Sequence, residues 1–201
     1  KLAPVMPIVS AIVVLALGFA LTWGAFARAK ENFNWGGAGS RSMEEARVIY
    51  LLEDEDNIKQ LLITNIKKND PVALNEGSNS VVDFSLSPDE SRVAYVVQTA
   101  DMENKIWLVN IDGTQNEKIS ECENAICSGL VWSPDGSSVA YEHIGLSGDN
   151  ATGLPTLWWI DLNTGVDKPL FQESQLPAAN PRWSPDGKWI VYIAFEPDIN
   201  P

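Results

Sequence analysis

The chain has 201 residues, 45% of them hydrophobic and 20% charged, a composition of folded globular material that excludes a disordered tail or a many-span transporter. Its 27 acidic against 14 basic residues give a net charge of -13 and leave no basic stripe for a phosphate backbone, so nucleic acid is not an expected partner. Two cysteines and a single histidine, His143, fall short of a Cys and His zinc site, and no metal or cofactor is expected.

The acid is unevenly placed. Residues 1–30 hold Lys1, Arg28 and Lys30 and no acid, and no charge at all interrupts Leu2 to Ala27. Such a stretch supplies the roughly 20 apolar residues that cross about 30 Å of hydrocarbon as a helix. It predicts a single transmembrane anchor over residues 1–30, with Pro4 and Pro7 in the first turn and Trp23 at the interface. A cleaved secretory signal is the competing reading, because Ala25-Phe26-Ala27 has the small-x-small form of a cleavage site; a retained anchor is preferred. Ala16, Ala20 and Gly24 recur at every fourth position and form a small-residue face suited to docking against another membrane helix. Arg28 and Lys30 count against an outward-facing body, whereas the acidic remainder and the cysteine pair favour one. The expected place is therefore the cell membrane, single-pass, with the body in the periplasm or extracytoplasmic space.

Residues 31–43, with Gly36-Gly37-Ala38-Gly39-Ser40, lack apolar periodicity and read as a flexible linker, leaving residues 44–201 as the folded body. That body repeats. Ser87-Pro88-Asp89-Glu90, Ser133-Pro134-Asp135-Gly136 and Ser184-Pro185-Asp186-Gly187 recur at intervals of 46 and 51 residues, and a tyrosine follows each serine by eight positions: Tyr95, Tyr141 and Tyr192. Proline presets φ at the first central position of a tight turn, aspartate bonds its own backbone, and glycine accepts positive φ. Strands are predicted before each turn, at Phe84–Leu86, Leu130–Trp132 and Pro181–Trp183, and after it, at Arg92–Val97, Ser138–Tyr141 and Trp189–Ala194. Third strands follow at Ile106–Asn110 and Leu157–Asp161, and fourth strands at Glu117–Ser120 and Lys168–Phe171. Arg47–Leu52, Gln60–Thr64 and Pro71–Leu74 align with the second to fourth strands of the same unit. Four short strands per roughly 45 residues mark a propeller blade. The fold class expected is all-β, with blades of four antiparallel strands in the order three, four, four and two. The first blade would complete itself with a strand from the other end of the chain. So few blades point to part of a larger propeller.

These repeats resemble the TolB-like, or WD-like, β-propellers of bacterial envelope proteins, whose hallmark is Trp-Ser-Pro-Asp-Gly before a short strand. Trp132 to Gly136 and Trp183 to Gly187 match in full, and the first copy departs at Leu86 and Glu90. The resemblance covers roughly residues 47–194 and implies fold more than chemistry, since propellers bind, scaffold and catalyse alike.

Little points to catalysis. Asp89, Asp135 and Asp186 read as turn formers in separate blades rather than as a carboxylate set, and His143 has no nucleophile motif beside it. Glu53–Asn57 lacks the spacing of a calcium loop and reads as a solvated hairpin tip. Cys122 and Cys127 lie in the connection between two blades and suit a disulfide, which implies an oxidising compartment. The insertion from Glu142 to Pro155, containing His143, Gly145, Gly148, Asp149, Asn150 and Gly153, is the candidate partner-contact loop. Trp158 and Trp159, being adjacent on a strand, must face opposite sides. The expected function is a non-catalytic interaction or accessory subunit of a membrane complex, with other membrane proteins and membrane lipid as partners. The alternative is the amino-terminal anchor and propeller of a serine peptidase resembling the prolyl oligopeptidases. No Gly-x-Ser-x-Gly elbow occurs in these residues, so that alternative needs a further hydrolase domain.

Overall fold

A computed structural model describes residues 46–196, apart from 78, 100, 102, 148, 149, 152 and 172–175. The predicted anchor, its Ala16, Ala20 and Gly24 face, and the linker lie outside the described residues. Among the described residues, no helix is long and apolar enough to cross a membrane. All regular structure among them is antiparallel β.

The first sheet holds β1 (Arg47–Glu53), β2 (Lys59–Asn65) and β3 (Val72–Ala73). Its β1–β2 hairpin turns at Asp54, whose Oδ1 accepts the backbone N–H groups of Asp56 and Ile58 at 3.0 and 2.9 Å. The second sheet runs in order from β4 (Ser80–Leu86) through β5 (Arg92–Gln98) and β6 (Asn104–Asn110) to β7 (Glu117–Ser120). The third contains β8 (Ala125–Trp132), β9 (Ser138–Ser147), β11 (Thr156–Asp161) and β12 (Val166–Pro169), with a short β10 (Asn150–Ala151) folded back on the end of β9. The last pairs β13 (Ala178–Trp183) with β14 (Ile190–Ala194). The three, four, four, two order follows the repeat, and the strands that precede the turns, β4, β8 and β13, neighbour one another in series.

The core lies between blades. Val93, Ala94, Tyr95, Val96 and Val97 of β5 are all buried, because alternate side chains leave the sheet on opposite faces and each face meets a neighbouring blade. Val93, Tyr95 and Val97 pack with Leu61, Leu74 and Val81 towards the first blade. Ala94 and Val96 pack with Trp132, Val139, Tyr141 and Ile160 towards the third. Each fully buried Val or Leu contributes roughly 1.5–3 kcal/mol relative to an exposed one.

The three Ser-Pro-Asp turns are built alike. The backbone N–H of Glu90, Gly136 and Gly187 donates to the carbonyl of Ser87, Ser133 and Ser184 at 2.9, 2.9 and 3.0 Å. Each serine hydroxyl donates to Asp89, Asp135 or Asp186 at 2.6 Å and accepts the N–H of Arg92, Ser138 or Trp189. Glu90 takes φ 60°, where Gly136 and Gly187 take 69° and 70°, so the first copy keeps the turn without its glycine. Serine hydrogen bonds, followed by bonds from the next residues, hold the Asp89 and Asp135 carboxyls down at about 2 and lower Asp186 also. An unfolded aspartate ionises near 3.9, so folding favours the charged form. The resulting stabilisation is complete above about pH 4 and is lost as pH falls through about 2. Urea midpoints measured from pH 5 to 2 should show this acid loss, and Asp135→Asn should make it shallower.

Two expectations about connections need correction. Cys127 sits inside β8, not in the crossing between blades, because that strand starts five residues earlier than Leu130 to pair Ala125–Ser128 with Glu142–Gly145. For the same reason Glu142 to Ser147 is strand rather than loop: β9 continues through His143 and Gly145 with β8 on one side. The candidate contact loop shrinks to the tip of this hairpin. Asn150 lies in β10, Gly153 follows it at φ 85° with open space where a Cβ would stand, and Gly148 and Asp149 lie outside the described residues.

Candidate functional site

A cleft of about 600 Å³ opens between the second and third blades. One wall is β7 with the segment that follows it, including Lys118, Ser120 and Cys122; the other is the face of the third blade presenting Tyr141, His143, Trp158 and Asp167. Period-two alternation puts Tyr141 and His143 on the same face of β9, and the β9–β11 register sets Trp158 opposite Tyr141. The Trp158 ring stacks on His143 with centroids 4.5 Å apart and planes 16° apart, and lies 6.4 Å from Tyr141. Trp159 points the other way and carries the Lys168 ammonium 5.1 Å above its ring. Trp158 Nε1 is buried and has no hydrogen-bond partner among the described residues.

Asp167 ties the two walls together. Its Oδ1 accepts the Tyr141 hydroxyl at 2.8 Å and its Oδ2 accepts the Ser120 hydroxyl at 2.6 Å, across 47 residues. Burial, and then the Asp167 charge, push the Tyr141 phenol far above its ordinary value, so it stays a donor. The second blade repeats this geometry with a neutral acceptor: Tyr95 donates to Asn116 at 2.7 Å, and burial raises its phenol to about 12. The Ser120 hydroxyl donates its hydrogen bond to a carboxylate rather than to the histidine, so this trio fixes strands instead of preparing a nucleophile. Burial lowers the His143 value, against smaller opposing effects of its backbone and Asp167, and favours a neutral ring for stacking.

Cys122 and Cys127 form a disulfide with Cα atoms 6.2 Å apart, at the point where the chain leaves the second blade and enters the third. Reduction should cost roughly 2 kcal/mol, the loop entropy of so short a ring. Urea midpoints with and without reductant measure it, and the double Cys122→Ala, Cys127→Ala variant should remove the difference.

Of the residues singled out in the sequence, the structure brings Cys122, Tyr141, His143 and Trp158 to one cleft, and Asp89, Asp135 and Asp186 sit in three successive turns, the last two of which line one groove. Among the described residues no group of three His, Cys, Asp or Glu side chains has metal-site geometry. Sequence reasoning missed Tyr141, Trp158, Asp167 and Ser120 as a set. One signal was present: Asn116 and Asp167 are 51 residues apart, the interval separating the last two turns.

Antiparallel sheets in series, three of them carrying a Ser-Pro-Asp turn between two neighbouring strands, define a β-propeller architecture. The chain belongs to the TolB beta propeller domain family, whose model matches residues 38–198. It is similar in fold to TolB from Acinetobacter baumannii, at 21% identity and a TM-score of 0.59 over 78% of this chain and 38% of that one. It is also similar to oligogalacturonate lyase from Vibrio parahaemolyticus, at 19% identity and 0.54 over 76% of this chain and 46% of that one. A structure from an analysis of two prolyl endopeptidases aligns at 18% identity and 0.52, over 76% of this chain and 25% of that one. The chain thus spans less than half the length of each of these three. No curated protein matches it.

Proposed function

We propose that the chain is a membrane-anchored, extracytoplasmic TolB-like propeller that acts as a non-catalytic interaction or accessory subunit of a membrane protein complex. One observation carries this reading: the cleft between the blades is lined by a stacked Trp158–His143 pair, while its Ser120 and Tyr141 hydroxyls both donate to Asp167. Flat aromatic surface in a cleft suits recognition of a partner segment. The disulfide and the resemblance to envelope propellers support an oxidising, extracytoplasmic location. Residues 1–30 supply the anchor, with Ala16, Ala20 and Gly24 facing a partner helix, residues 31–43 the linker, and residues 44–201 the propeller.

A photoreactive residue at Glu123, on the rim of the cleft, tests this in intact cells. The expected result is one discrete adduct that disappears with Trp158→Ala. An adduct indifferent to Trp158 overturns the cleft as the contact. Replacing Ala20 and Gly24 by Leu should release co-purifying membrane proteins, and unchanged co-purification removes the docking face. The fold shared with prolyl endopeptidases favours a second reading, the propeller part of an anchored serine peptidase. A nucleophile elbow further along the same reading frame would establish that reading and displace the first.

A further inference from the structure

The repeat supplies an internal template for a second binding site, apart from the cleft just described. At the junction of the second and third blades, the Arg92 guanidinium lies 5.2 Å from the centroid of the Trp132 ring, and its Nη2 donates to the carbonyl of Gly136 at 3.0 Å. Arg92 stands five residues after Ser87, and Trp132 immediately precedes Ser133. At the next junction the equivalent positions are Ser138 and Trp183. A serine cannot reach across. In place of the guanidinium there is a groove of about 460 Å³, lined by Asp135, Ser138, Trp183, Asp186 and Gly187.

Trp132 is 5% exposed and its Nε1 donates to the Ser85 carbonyl, whereas Trp183 Nε1 is buried without a partner among the described residues. Two carboxylates line the groove, and the three hydrogen bonds that Asp135 accepts from Ser133 and Ser137 all fall on Oδ1. Asp186 is paired with Lys188, whose ammonium is 3.9 Å away on a side chain 77% exposed. A groove lined by an indole and two carboxylates suits a planar cation, which can stack and donate several hydrogen bonds in one plane as an ammonium cannot.

We infer that the groove between the Ser133–Gly136 and Ser184–Gly187 turns binds an exogenous guanidinium group, reproducing in trans the Arg92–Trp132 contact that the preceding junction makes in cis. The source favoured is an arginine side chain of a polypeptide partner, since the contact it would reproduce is itself made by an arginine side chain, Arg92 on Trp132. This does not depend on the cleft between the second and third blades being a contact surface.

The test is NMR of the protein with 15N-labelled indoles, titrated with the blocked tripeptide Gly-Arg-Gly, with Gly-Lys-Gly and with free L-arginine. The arginine peptide should shift the Trp183 indole resonance saturably while leaving Trp132 unmoved. Ser138→Arg, which installs a covalent guanidinium, should abolish that response and raise the melting temperature. Should Ser138→Arg not fold, Asp186→Asn keeps the turn and should weaken peptide binding by roughly two- to fivefold. Free arginine binding as tightly as the peptide supports the site but assigns it to a small molecule. An equal response to the lysine peptide, or no shift at Trp183, overturns the inference.

Discussion

Trp132→Ala is expected to lower the unfolding free energy by about 3–5 kcal/mol, the range for removing a large aromatic from a packed interior. The side chain is 5% exposed, and it joins two blades in three ways: apolar packing with Val96, Val139 and Ile160, an indole hydrogen bond to Ser85, and the Arg92 guanidinium across its face. Truncation leaves a cavity, removes the indole hydrogen bond and takes from the Arg92 charge its aromatic partner. Trp183→Ala should cost less than half as much, because that ring is only half-buried and its N–H has no partner among the described residues. Far-UV circular dichroism in urea measures both without relying on tryptophan emission. Equal losses would mean that the two repeats do not differ at this position.

Tyr141→Ala should be comparably damaging, about 3–5 kcal/mol, since the side chain is 1% exposed in the core between the second and third blades. The informative variant is Tyr141→Phe. It keeps the packing and deletes only the hydroxyl that Asp167 accepts at 2.8 Å, leaving the carboxylate with Ser120. A hydrogen bond to a charged group is worth roughly 1.5–3 kcal/mol, against about 1 kcal/mol for a neutral one. Tyr95→Phe, whose acceptor Asn116 is neutral, should therefore cost less. A Tyr141→Phe loss no larger than that of Tyr95→Phe would show that Asp167 does not hold the walls of the cleft together.

The blades were legible because each is a local unit: turn residues, a tyrosine eight positions on, and apolar runs of strand length all lie within one repeat. Strand ends were less legible where pairing overrode local signals. Ala125 to Gly129 contains two breakers of an apolar pattern, Ser128 and Gly129, yet it forms β8 because β9 offers matching hydrogen-bond partners beside it. Gly129 takes φ 65° where the register shifts between Ser128 and Val131, so it accommodates the bulge. The cleft was illegible for a different reason. Ser120, Tyr141, His143, Trp158 and Asp167 come from separate strands of two blades, and no spacing along the chain announces that β7 and β12 will face each other. The groove at Trp183 was hidden in what the repeat omits, and it emerges only once Arg92 is seen in place.

The left-handed Glu90 bears on how such repeats diverge. A non-glycine residue in that conformation costs roughly 1–2 kcal/mol, and here the cost is met by the same serine and aspartate bonds that hold the other two turns. The glycine relieves strain; the serine and aspartate define the shape. A lineage accumulating single substitutions can therefore lose the glycine, and the tryptophan as at Leu86, while the blade persists. Erosion of the motif should proceed from its two ends inward, and the pair that survives longest, Ser and Asp two positions apart, is the one by which blades are best counted.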